Sequence, residues 1–90
     1  MIFLKELIIK QYIDKLTKKD IYDYGIKNDI ILDTNSLNII YDYIKKDWQI
    51  ILFGDITPIF NNLKSKINND TFSKIEKLYL KTKEKYKYYL

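Results

Sequence analysis

Apolar residues recur along this chain at intervals of three and four, and no two stretches alternate in the manner of paired half-buried strands. The first run places apolar residues at Ile2, Ile9, Ile13 and Leu16, flanked by Leu4, Ile8 and Tyr12, with Lys5, Lys10, Asp14 and Lys15 between them. A second joins Leu37, Ile40, Tyr41, Ile44, Trp48, Ile51 and Leu52. The last carries Phe72, Ile75, Tyr79, Thr82, Tyr86 and Tyr89 in a heptad-like seam. With the starts and stops below, the pattern predicts about five helices, near residues 2–15, 18–25, 34–53, 58–66 and 69–88. Residues 27–32 carry no helical signal and read as a loop whose Ile30 and Leu32 drop into the core.

Helix starts share one local grammar. Leu16-Thr17-Lys18-Lys19-Asp20-Ile21 offers Thr17 as N-cap, Asp20 as the reciprocal acid of a capping box, and Leu16 with Ile21 as a hydrophobic staple. Asp33 repeats the form before Leu37, and Asn68 before Phe72 with Asp70 in the first turn. Thr57 before Pro58 reads as a cap with proline at the first helical position. The two glycines, Gly25 and Gly54, sit where left-handed helix stops are expected. Short helices on short turns imply an all-α, compact orthogonal bundle in a single domain over residues 1–90. Its expected radius of gyration is about 12 Å. The expected core is Ile9, Ile13, Leu16, Ile21, Leu32, Ile40, Ile44, Trp48, Ile51, Leu63, Phe72, Ile75 and Tyr79.

Composition changes the weight of several signals. The 90 residues include 17 Ile, 16 Lys, 9 Tyr and 7 Asn but no Ala, Val, Arg, His or Cys. Abundant residues have A/T-rich codons, so an AT-rich genome accounts for much of the Lys and Tyr content. Without Cys there is no disulfide or thiolate metal site, and without His the commonest acid–base catalyst is missing. Without Arg the commonest base-specific DNA contact is missing too. No stretch reads as a signal peptide or is long enough to span a bilayer, which gives a cytoplasmic expectation without integral membrane association.

Candidate chemistry is sparse. Ser36, Ser65 and Ser73 have neither His nor Cys to pair with, and Ser36 and Ser73 sit in first turns of helices. The pairs Asp20/Asp23, Asp29/Asp33 and Asp42/Asp47 each have Lys close by, as solvated helix surfaces do. Asp33-Thr34-Asn35-Ser36-Leu37 begins like a calcium loop, but Leu37 occupies a ligand position and no glycine follows. No enzyme, cofactor, metal site or small-molecule substrate is expected.

The run Leu16-Thr17-x-x-Asp20-Ile21-x-x-Tyr24, then Ile30-x-Leu32, Ile50-Ile51-Leu52-Phe53, and Asn69-Asp70-Thr71-Phe72-x-x-Ile75-x-x-Leu78-Tyr79 resembles the YqfT-like proteins. These are short, functionally uncharacterised proteins of low-GC Gram-positive bacteria. The likeness covers roughly residues 15–85. The family's small residues and arginines are replaced here by Ile, Lys and Tyr. The resemblance implies an all-helical cytoplasmic domain and supplies no catalytic residues.

Charge is uneven. Residues 1–73 hold 10 Lys and 10 acids, whereas residues 74–90 hold 6 Lys and 2 Glu, which is the whole net charge of +4. Lys74, Lys77, Lys81 and Lys85 share one helical face, with Lys87, Tyr86, Tyr88 and Tyr89 interleaved. Such a segment suits a polyanion, with lysines on phosphates and tyrosines stacking on bases. Lysines near a helix C-terminus also simply complement its dipole. Tyr22/Tyr24 and Tyr41/Tyr43 are spaced by two, so one of each pair faces outward. Tyr24, Tyr43 and Phe53 are thus candidates for a protein interface. The leading expectation is a non-catalytic module that binds another macromolecule, with a protein partner or homodimer first. A nucleic-acid accessory protein using the C-terminal Lys/Tyr helix is the alternative.

Overall fold

The computed structural model describes residues 4–87. Five helices follow one another: α1 (Leu4–Lys15), α2 (Lys18–Lys27), α3 (Thr34–Phe53), α4 (Thr57–Lys64) and α5 (Asn69–Tyr86). Among the described residues there is no strand, and the fold is the all-α bundle of five helices that the pattern predicts. The expected helix limits at residues 2 and 88 lie outside the described residues. No described helix is long and apolar enough to cross a membrane.

Local chemistry starts three of these helices as expected. Thr17 Oγ1 accepts from the Asp20 N–H at 3.1 Å, and Asp20 Oδ2 accepts from the Thr17 N–H at 2.9 Å, closing the capping box. Asp33 Oδ1 accepts from the Ser36 N–H at 2.7 Å. Asn68 Oδ1 accepts from the Asp70 and Thr71 N–H groups at 2.8 and 3.3 Å. Thr57 departs from its expected capping role. The N-cap of α4 is Ile56, without a side-chain bond, and Thr57 is already helical. Asp55 Oδ1, two residues earlier, accepts from the Thr57 N–H at 3.0 Å and so satisfies a first-turn donor by a different bond from the one expected of Thr57.

The glycine stops are also corrected. Neither glycine has positive φ; the only left-handed residue described is Asp29, at φ 63°. Helix α2 runs past Gly25 to Lys27 and closes in a Schellman arrangement: Ile30 N–H donates to the Gly25 carbonyl at 2.8 Å, and Asp29 N–H to Ile26 at 3.1 Å. Asn28 Nδ2 adds a bond to the Tyr24 carbonyl at 2.9 Å. Gly25 is needed for a different reason than its dihedrals. A Cβ there would lie 2.8 Å from the Ile30 carbonyl oxygen, a backbone atom that cannot swing away. This tight return is what carries Ile30 and Leu32 inward, and both are buried. Gly54 ends α3 with extended dihedrals, its N–H donating to Ile50.

Helix α3 is the spine. It packs against α1 and α2, while α4 packs against α5. Lys45 of α3 reaches the C-terminus of α1, donating to the Ile13 and Asp14 carbonyls at 2.6 and 3.1 Å, where the helix end has orphan acceptors and partial negative charge. Asp47 breaks α3 with φ −120°, ψ 22°, so the helix kinks between Ile44 and Ile51. Phe60 of α4 meets Phe72 and Tyr79 of α5 edge-to-face, with ring centroids 5.6 and 5.2 Å away. The ion pairs Lys10–Asp14 and Lys19–Asp23 are exposed i,i+4 pairs and contribute little. The radius of gyration is 13.0 Å.

Ile13, Leu32, Leu63 and Phe72 are buried as expected. The remaining expected core residues, Ile9, Leu16, Ile21, Ile40, Ile44, Trp48, Ile51, Ile75 and Tyr79, are only half-buried. For six of them the cause is an open cleft between the two packed groups of helices: Ile21, Ile40, Ile44, Ile51, Ile75 and Tyr79 all line it.

Two outcomes follow from these local devices. Gly25→Ala should destabilise the fold despite the ~1 kcal/mol that helix propensity offers alanine, because the clash is with backbone. Asp29→Gly should raise stability by about 0.5–1 kcal/mol by relieving the left-handed residue. Chemical denaturation of both variants measures the pair, and a stabilised Gly25→Ala would contradict the close approach. The Asp20, Asp33 and Asp55 carboxyls are held below the ordinary value of 3.8 first by the backbone N–H groups of Thr17, Ser36 and Thr57. Their contribution is therefore complete above the unfolded value and is lost as pH falls through the lowered folded values. Acid titration should show a decline beginning below about pH 5, flattened in the Asp20→Asn/Asp33→Asn double variant. An unflattened decline would show that these caps do not set the pH dependence.

Candidate functional site

The cleft is built from two walls. One comes from α2, the following loop and α3, with Ile21, Ile30, Ile40, Ile44 and Ile51. The other is the seam of α5: Ile75, Leu78, Tyr79, Thr82 and Tyr86. This is the heptad-like row read from the sequence, now facing a gap of about 500 Å³ instead of a closed core. That volume falls within the ~300–1,000 Å³ of small-ligand sites. The walls are joined by one described side-chain hydrogen bond, Tyr79 Oη donating to the Ile51 carbonyl at 3.1 Å.

Polarity enters the cleft from α5. Thr82 and Lys83 are the polar side chains of the lining other than tyrosines. Lys83 Nζ lies 5.7 Å from the Tyr79 ring centroid, so its ammonium lies against the cleft wall. An adjoining hollow, lined by Tyr12, Leu16, Asp20, Asp23 and Lys27, shares Ile21, Tyr24 and Ile44 with the cleft. A polar depression over Phe60 and Phe72 contains Lys64, Ser73 and a single carboxylate, Glu76. Among the described residues no three His, Cys, Asp or Glu side chains converge as a metal site requires.

The candidate residues separate. Tyr24 is exposed at the junction of cleft and hollow. Tyr43 is half-buried on α3 and Phe53 is exposed at its end; neither lines the cleft. At 3.6 residues per turn, Lys74, Lys77, Lys81 and Lys85 fall within an arc of about 80° on α5. Tyr86 lies roughly 100° or more from every one of them and lines the cleft. The basic row and the tyrosine row of α5 thus face different ways. Lys74 is 3.7 Å from Asp70, and Lys85 Nζ is 5.3 Å from the Tyr86 ring centroid. Lys87 points away from the row and pairs with Glu84 at 2.8 Å. Tyr88 lies outside the described residues. The caps Thr17, Asp20, Asp33 and Asn68 are occupied in starting helices.

Sequence reasoning missed Lys83, which it counted only within the basic segment. The signal was available: Lys83 stands four residues after Tyr79, the spacing that puts it over that ring. Nothing in periodicity shows that the seam's opposite wall stands off.

No family model, curated protein or solved structure matches the chain. The resemblance to the YqfT-like proteins therefore rests on the residues quoted for it.

Tyr79→Phe removes the described hydrogen bond across the cleft while keeping the ring on Phe60. Stability should fall by about 1 kcal/mol. Amide exchange should quicken in α4 and α5 more than in α2. Equal loss of protection in all helices would show that the bond does not hold the two groups together.

Proposed function

We propose that this chain is a non-catalytic binding module of the cytoplasm whose partner is another protein. One observation carries the reading. Among the described residues, twelve large apolar side chains are exposed and five apolar side chains are buried. Scattered exposed apolar residues are ordinary, but here they form rows. On α1, Leu4, Ile8 and Tyr12 stand one turn apart at 74, 58 and 68% exposure, on the side away from Ile13. A helix apolar on both sides belongs between two surfaces. Helix α3 supplies one surface, and the partner supplies the second. The row ends at Tyr12, in the hollow that Tyr24 shares, so α1 and α2 offer one continuous docking face with tyrosines of the type enriched at interfaces.

The chemistry is supported as binding and not turnover because the carboxylates with altered proton affinity are engaged in helix caps and turns. The YqfT-like resemblance is compatible with such a module and adds no reactive residue. The basic row of α5 favours a second reading, nucleic-acid binding through Lys77 and Lys81, in which Tyr86 does not stack on bases because it faces the cleft.

Affinity capture from the native cell decides between them when run with Ile8→Glu/Tyr12→Glu and Lys77→Glu/Lys81→Glu beside the unaltered chain. A protein recovered in stoichiometric amount, lost with the α1 variant at unchanged helicity and kept with the α5 variant, is the expected result. Nucleic acid lost only with the α5 variant moves the function to the second reading. Identical recovery from all three chains removes both faces as binding sites. Sedimentation over a wide concentration range shows whether the partner is a second copy.

A further inference from the structure

The cleft is chemically unlike the α1–α2 docking face, and its features point to a small ligand. Its walls are aliphatic over most of their extent, with Ile21, Ile44 and Ile51 facing Ile75 across the gap. Its only charged lining residue is Lys83. By helical spacing Lys83 stands roughly 160° from Lys81 and Lys85, so it does not belong to the basic row. The Tyr79 ring holds its ammonium at the cleft. No carboxylate among the described residues closes an ion pair with it. Asp55 is the acid whose field reaches Lys83; its Oδ1 accepts from the Thr57 N–H, and it makes no direct ion pair with Lys83.

An apolar slot with an exposed cation on its rim is complementary to an amphiphile with a single aliphatic chain and an anionic head. We propose that the cleft binds a long-chain carboxylate, its chain between the isoleucines of α2–α3 and the seam of α5, its carboxylate on Lys83. The volume of about 500 Å³ suits one chain. Burial of the chain supplies affinity, and Lys83 sets the orientation and selects the anion. The ligand is held and not transformed. The site adjoins the protein-docking face at Ile21, Tyr24 and Ile44, but Lys83→Gln and Ile8→Glu/Tyr12→Glu probe the two separately, so either assignment can fail without the other.

Calorimetric titration of the full chain with sodium octanoate, decanoate and dodecanoate, each below its micelle concentration, tests the proposal. Affinity should rise about fourfold per added methylene while the chain still fits. Dodecanoate should bind at least tenfold more tightly than dodecanol or dodecyltrimethylammonium. Lys83→Gln should remove that preference while leaving dodecanol binding unchanged. Methyl shifts in the NMR spectrum should fall on Ile21, Ile44, Ile51 and Ile75. Absence of binding overturns the proposal, as does equal affinity for the three dodecyl head groups. A Lys83→Gln chain that keeps the preference, or shifts confined to Leu4 and Ile8, also overturns it by placing the amphiphile elsewhere. A two-chain phosphatidate that binds as tightly as dodecanoate would assign the site to a membrane lipid and overturn the single-chain carboxylate.

Discussion

Tyr79 sets how far α5 stands from α3. Its ring meets Phe60 edge-on, its hydroxyl donates to the Ile51 carbonyl, and Lys83 lies over its face. Two of these contacts hold the ring and the third holds the hydroxyl. The ring belongs to the α4–α5 pair and the hydroxyl reaches across to α3. A leucine at this place would let the helices settle into ordinary ridge-and-groove contact, whose spacing follows the size of the side chains between the axes. A tyrosine whose tip must end on a backbone oxygen holds them apart. The open slot between α5 and the α2–α3 wall is thus tied to one polar requirement inside an otherwise apolar seam.

Composition reinforces the same geometry. Close helix approach needs small residues, and this chain has no alanine and two glycines. One glycine, Gly25, is used where backbone nearly touches backbone, at the Ile30 carbonyl. Elsewhere the facing surfaces are isoleucine, leucine and tyrosine, which are bulky, and the β-branched isoleucines are stiff at χ1. Interiors built this way fill volume well at a few points, such as Ile13 and Leu63, and leave the rest half-covered. A bias that reads as genomic background in the sequence becomes a physical property of the fold: fewer fully buried residues and more apolar surface to offer a partner.

What the sequence made legible was local. Thr17, Asp33 and Asn68 were readable as caps because the whole interaction lies within three residues. The helix count and the seam of α5 were readable because periodicity is a one-dimensional signal. Thr57 misled because the helix starts one residue earlier, at Ile56, which turns Thr57 from a cap into a helical residue whose own N–H is taken by Asp55. Gly25 misled because a tertiary demand, space for Ile30, took precedence over the left-handed position that glycine usually fills; Asp29 accepted that strain instead. The kink at Asp47 has neither proline nor glycine to announce it. The cleft was half-legible: its seam was visible, and the distance to its opposite wall was not.

The division of α5 bears on how the net charge of +4 acts. As a sequence, residues 74–90 read as one basic aromatic tract. Folded, the described residues of the tract part company, because a spacing of three and four keeps Lys74, Lys77, Lys81 and Lys85 on one arc while Tyr79 and Tyr86 turn to the cleft. The outer arc is hydrated and flanked by Asp70 and Glu84, so salt screens it and its attraction for any one partner is diffuse. Lys83 is exposed like the lysines of that arc, but it is the charged residue that lines the apolar cleft. Position relative to the seam, and not the count of lysines, therefore decides which positive charge on this helix is selective.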